Sequence, residues 1–284
     1  MKYGKIKNIT IATSFLALTA CSSLKVQHET GQLNLHYQPD QTVASNANKT
    51  LVVLQPKIDV NTGQSLNDQA SRDLSKYLSG ASYSALYNTE YKINEYSKQL
   101  AKSIESGLNN IYSNRGFSEI NTSSLDELTY PQKRSAYLAS QTNLKLNVEP
   151  KVNESNCDSS MMYCTLQGVI QVSGTMIINY IEPMTQEIVY NQKINLSDFN
   201  IAVPFKQQFV YKSRNQGIMD MASNMVSSAS GEEITLTDNI DKSITEALNT
   251  FYKKAMAKSD KMISQKEILS YNSTVDELKN KKVF

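Results

Sequence analysis

The strongest constraint on this chain is a period-two alternation in its second half. Ile170, Val172, Met176, Ile178 and Tyr180 fall on one face of an extended segment, and Ile188, Tyr190, Ile194 and Leu196 on one face of another. Side chains of a strand point alternately to the two sides of a sheet, so each segment presents an apolar face that must be covered. Between them Glu182-Pro183-Met184-Thr185-Gln186-Glu187 has turn chemistry, and the spacing predicts a long central β-hairpin. Gly174 marks a bulge or a close backbone approach.

The covering elements are also legible. Leu51-Val52-Val53-Leu54 is a continuous apolar run that predicts a strand buried on both faces. Ile93, Tyr96, Leu100, Ile104, Leu108 and Ile111 recur at steps of three and four, which predicts an amphipathic helix over 91–114. Gly116 suits a left-handed helix cap, and Phe117 to Ile120 begins a strand. Pro131 fits the first turn of a second helix holding Tyr137, Leu138 and Ala139. Leu144, Leu146 and Val148 mark a half-buried strand, whereas 199–237 is irregular. Ile240, Ile244, Leu248, Phe251 and Ala255 predict a C-terminal helix over about 238–280, with Asp238 as a candidate cap. The expected class is α+β: a mixed sheet with the long hairpin at its centre, packed by amphipathic helices, plus a C-terminal helical extension. The segment 60–90 is a polar insertion in which Tyr77, Tyr83, Tyr87 and Tyr91 serve packing or a contact surface.

The N-terminus has a different character. Lys2, Lys5 and Lys7 precede a short apolar run from Ile9 to Leu18, which has the order of an export signal and is too short to span a bilayer. The exit Leu18-Thr19-Ala20-Cys21 resembles a bacterial lipobox. That resemblance implies cleavage after Ala20, diacylation of the Cys21 thiol and acylation of the new amine. Each buried CH₂ contributes about 0.8 kcal/mol, so several acyl chains hold a protein on a membrane. Ser22 and Ser23 follow, with no Asp, which resembles the pattern of outer-membrane lipoproteins. The expected organisation is a signal peptide at 1–20, a polar N-terminal tether at 21–48 and a single α+β domain at 49–284.

Composition narrows the function classes. The chain has 29 basic and 27 acidic residues. The leader takes three lysines with it, leaving 26 basic against 27 acidic residues, a formal charge of −1. A nucleic-acid partner is not expected from a balance without a basic excess. With two histidines, His28 and His36, few groups are available for a metal site or imidazole chemistry, and no metal or cofactor is expected. Nucleophile-elbow, Walker and dinucleotide-binding motifs are absent from the sequence, so no enzyme is expected. Cys157 and Cys164 are an even pair at short separation in an exported chain, and a disulfide between them is expected.

Short blocks along the chain carry a resemblance: Leu33-Asn-Leu-His-Tyr-Gln-Pro39, Leu51-Val-Val-Leu-Gln-Pro56, Asn114-Arg-Gly-Phe117, Ile181-Glu-Pro-Met-Thr-Gln-Glu187, Asn195-Leu-Ser-Asp198 and Ala247-Leu-Asn249. With Gln265 to Tyr271 and Glu277-Leu-Lys279, they resemble the neuraminyllactose-binding hemagglutinin family of bacterial lipoprotein adhesins. The resemblance implies a lipid-anchored outer-membrane or surface protein that binds host glycan or protein, with sialylated glycans as the named ligand. The family's proposed glycan motif is a Lys/Arg-rich run. Here Pro150 to Asp158 holds Lys151 as its only basic residue, beside Glu154 and Asp158, so no ligand-binding residue is carried over. The alternative role is a periplasm-facing outer-membrane lipoprotein that binds another envelope protein as scaffold or regulator.

Overall fold

A computed structural model describes residues 24–40, 44–61, 89–158, 163–210 and 234–281. The leader, Cys21 and nearly all of the expected insertion at 60–90 lie outside the described residues. The strands are β1 (Leu24–His28), β2 (Thr50–Asn61), β3 (Ser118–Thr122), β4 (Leu138–Asp158), β5 (Tyr163–Ile181), β6 (Ile188–Asn195), β7 (Ile201–Val210) and β8 (Ile234–Asp238). The helices are α1 (Thr89–Asn114), α2 (Tyr130–Ser135), α3 (Ile240–Met262), α4 (Gln265–Leu269) and α5 (Asn272–Lys281).

The eight strands form one mixed sheet in the order β1-β8-β7-β5-β4-β2-β3, and β6 also pairs with β5. The fold is α+β, as the alternation predicts. Its longest hairpin, however, lies one strand earlier than the sequence suggests. β4 and β5 pair antiparallel from Ala139↔Ile181 down to Asp158↔Tyr163, and the 182–187 turn begins a second, shorter hairpin of β5 with β6. The other edge of β5 is shared, by β7 near Tyr163 and by β6 near Ile181.

One face of the sheet carries the main core. Leu144, Leu146, Leu166, Ile170, Met176 and Ile178 are fully buried there, against Leu100, Ile104, Leu108 and Ile111 of α1 and Leu248, Phe251 and Ala255 of α3. The opposite face has a second, smaller core at one end only, where Val52, Leu54 and Ala139 meet Leu125, Leu128 and Ala136. Leu51 to Leu54 are therefore buried on both sides, as a continuous apolar run requires.

Two local expectations differ. Tyr137 to Ala139 do not continue a helix: α2 ends at Ser135, and β4 begins at Leu138 in parallel register with Leu51. Residues 201–210 form a regular strand, although Pro204 and the run Lys206-Gln207-Gln208 break its alternation. Residues 32–37 alternate in burial but join no strand. It lies along α3, where the Asn34 N–H donates to Asn249 Oδ1 (2.7 Å) and Asn249 Nδ2 donates to the Gln32 carbonyl (3.0 Å). Residues 24–40 of the expected tether are thus a strand followed by a strap laid on the domain.

Two glycines sit where only glycine fits well. Gly116 ends α1 at φ +80°, and Gly174 takes φ +127° opposite Leu146, where a Cβ would collide with the Lys145 carbonyl oxygen. Beyond Asn147 the outer edge of β4 pairs with no strand among the described residues. That edge carries Glu149, Pro150, Lys151 and Glu154, with a register shift between Val152 and Glu154. Charge, proline and a bulge each discourage another chain from adding a strand.

Candidate functional site

The sheet has two ends, and the candidate groups fall at them. At one end the chain enters at Leu24, level with Ile234 in the parallel β1–β8 pair. Gln207 opposes Asp238, so Val210 of β7 arrives at this same end, and Val210 opposes Tyr163, which opposes Asp158. The strand ends at Asp158 and Tyr163 and the start of β1 therefore share one rim. Cys157 and Cys164 face each other there in register, their sulfurs joined at 2.05 Å with Cα atoms 4.0 Å apart.

Behind this rim, on the sheet face away from the main core, is a polar cleft of about 220 Å³ lined by Glu154, Asn156, Tyr163, Thr165, Gln167 and Lys206. The alternation of β5 puts Cys164 and Leu166 into the core and Tyr163, Thr165 and Gln167 onto the cleft side. Thr165 Oγ1 accepts from Gln208 Nε2 at 3.2 Å. Amides, hydroxyls, one ring and one ammonium are suited to a polar ligand, but the Glu154 carboxylate offsets the Lys206 charge. Lys151, the one basic residue of the 150–158 run, is exposed on β4 and does not line the cleft. His28 Nδ1 lies 3.0 Å from Asp238 Oδ2, and His36 is exposed on the strap. No cluster of three or more potential metal ligands occurs among the described residues.

The opposite end is built around the 182–187 turn. Glu182 is fully buried, and its Oε2 accepts from the N–H groups of Met184 (2.9 Å) and Thr185 (2.6 Å) and from Thr185 Oγ1 (2.9 Å). A carboxylate thus holds the turn from inside. Lys279 of α5 approaches it while donating to the carbonyls of Arg134 (3.1 Å) and Ala136 (2.6 Å). Burial lowers the pKa of this ammonium, and the Glu182 charge partly offsets that effect. Ile188, just after the turn, and Tyr130, at the start of α2, are the large hydrophobic residues left exposed among the described residues, at 57% and 56%.

Two polar systems tie the layers together. Arg115 donates from Nε to the Ile263 carbonyl (2.8 Å) and from Nη2 to both the carbonyl (2.7 Å) and Oδ1 (2.5 Å) of Asp260. Tyr37 of the strap donates to Asp260 Oδ2 at 2.9 Å. A row of tyrosines runs outward from the core: Tyr112 lies edge-on to Tyr180, which stacks on Tyr190, which stacks on Tyr271. The Tyr112 and Tyr180 hydroxyls are 3.2 Å apart, and Ser140 Oγ lies 2.7 Å from Tyr112. Burial pushes Tyr112 up to about 12 and Tyr180 well above its ordinary value. Neither system was visible in the sequence, because its members lie far apart along the chain.

Known proteins give this architecture a context. A neuraminyllactose-binding hemagglutinin of Helicobacter pylori strain J99 is 26% identical over 205 residues, covering 66% of this chain and 74% of that protein. A hemagglutinin of the same name from strain 26695 is 23% identical over 286 residues, covering 97% of this chain and 95% of the relative. The crystal structure of a neuraminyllactose-binding hemagglutinin homolog from Helicobacter pylori shares the fold, with a TM-score of 0.50 at 17% identity over 85% of this chain and 100% of that one. The family model described as neuraminyllactose-binding hemagglutinin precursor matches residues 86–282, from α1 to the C-terminal helices, and the chain belongs to that family.

Proposed function

We propose that this protein is a lipid-anchored adhesin of the bacterial outer membrane, acylated at Cys21, with its α+β domain exposed at the cell surface and a host glycan or protein as its ligand. Membership of the hemagglutinin family carries this reading. The name of the relatives makes a sialylated glycan the first ligand to test. The role is binding, not catalysis. The lipobox-like exit at Cys21 supports the anchor, and no described helix is long and apolar enough to cross a membrane. Removal of residues 1–20 and acylation of Cys21 would leave the acyl chains as the attachment.

Protease shaving of intact and lysed cells tests exposure. Loss of the domain on intact cells is expected. Loss only after lysis would favour the periplasm-facing scaffold or regulator. Binding to a sialylated glycan array should fall after sialidase treatment, and unchanged binding would remove sialic acid from the reading. The Cys21→Ala variant should move from the detergent phase to the aqueous phase on phase partitioning.

A further inference from the structure

We infer that the bilayer is the partner of the Leu24 end of the sheet, so that the molecule stands on its disulfide rim and presents the 182–187 turn away from the membrane. This inference rests on acylation at Cys21. The argument is one of covalent reach. Three residues of fully extended chain span at most about 11 Å, so Leu24 cannot lie farther than that from Cys21 whatever path residues 22 and 23 take. Leu24 already belongs to β1, and β1 is held by five register pairs to β8. The strap that follows is fastened to α3 through Asn249 and to Asp260 through Tyr37, so no slack can be drawn from it. The link between lipid and domain is therefore short, and the rim itself comes to the headgroups.

The register shows what else arrives there. From β1 the order runs through β8, β7 and β5 to β4, four strand spacings or about 19 Å. The ends at Ile234, Val210, Tyr163 and Asp158 are all level with the entry of the chain. These strand ends therefore lie on the side of the sheet from which the chain reaches Cys21. The polar cleft starts at Tyr163 and extends four residues to Gln167, within about 15 Å of the same rim, so it meets molecules of the headgroup layer first. The 19 residues of β5 carry the opposite end up to about 60 Å away. That is where Ile188 follows the turn and stands exposed.

The test uses the natively acylated full chain in phosphatidylcholine–phosphatidylglycerol vesicles whose headgroups carry an energy acceptor. A fluorescent donor amino acid is encoded in place of Asn156, near the rim, or of Glu187, at the turn; both are exposed. Given their separation along the strands, transfer from position 156 should exceed that from position 187 by about threefold or more. Co-flotation with vesicles, lost in Cys21→Ala, reports the anchor separately. Flotation with equal transfer from both positions would leave the anchor standing and overturn the orientation, because the domain would then lie on its side. Failure of the unmodified protein to float would overturn both.

Discussion

Arg115 and Asp260 form an ion pair with both side chains about 95% buried, and the guanidinium also takes the backbone carbonyl of the same aspartate. The pair joins the end of α1 to the end of α3, and Tyr37 adds the strap to it. A buried pair contributes little against a well-packed apolar substitute, but removing one partner strands the other charge. Arg115→Met or Asp260→Asn should therefore cost about 3–5 kcal/mol, and the double variant less than the sum of the two. Tyr37→Phe should cost about 1–3 kcal/mol, since it removes one hydrogen bond to a charged group. Urea denaturation of the purified protein measures all four, and additive losses would refute the coupling.

Glu182 should behave as a turn residue. Its carboxylate accepts three hydrogen bonds from within 182–187. Glu182→Ala should lose about 2–4 kcal/mol and loosen the 181–188 connection, with Glu182→Gln intermediate. Amide exchange at Met184 and Thr185 is the direct readout, and unchanged protection in the alanine variant would contradict it.

Alkaline pH should unfold the protein over a defined window. Burial holds Tyr112, Tyr137 and Tyr252 up at about 12 in the folded form, and Tyr180 is raised as well. In the unfolded chain these phenols ionise near pH ~10. Between about 10 and 12 the folded form retains protons that the unfolded form has lost, so stability falls as the pH rises through that range. Below about 10 their contribution is fully present. Tyrosinate absorbance for these residues should rise together with loss of structure. A full tyrosine titration near 10 in a still-folded protein would be the opposite result.

The Cys157–Cys164 link closes a short loop, with a sequence separation of 7. Loop entropy gives it about 2–3 kcal/mol, so Cys157→Ser with Cys164→Ser should lower the denaturation midpoint without abolishing folding. Non-reduced peptide mapping should find the two cysteines in one linked fragment. Two alkylatable thiols would disprove the link.

What could be read from the residues alone follows from the range of each interaction. The double burial of Leu51 to Leu54 and the period of α1 are local patterns, and both correspond to the elements found. The strand at 201–210 was hidden because Gln207, buried at 3% exposure, looks like a solvent residue until Asp238 is seen beside it. The far half of β4 carries no alternation that marks a strand, because Pro150 and the charges that guard its edge are also loop residues. The strap over 32–37 has its partner in a helix far downstream, with Asn34 bonded to Asn249, and no local pattern announces that. Of the family blocks, Asn114 to Phe117 contains the Arg115 clamp and the Gly116 cap, and Ile181 to Glu187 contains the Glu182 turn. Those blocks mark fastening points of the fold. The cleft near Lys206 draws on three strands and has no signature in any one of them.

The parallel pairing of β1 with β8 also sets how the molecule answers to force. A pull on Leu24 along the strand axis loads the pairs from Leu24↔Ile234 to His28↔Asp238 in shear, all at once, instead of peeling them one by one. Load passes from there into α3, which begins two residues after β8 ends, and so into the whole core. Tugged at Leu24, the β1–β8 pair resists as one unit.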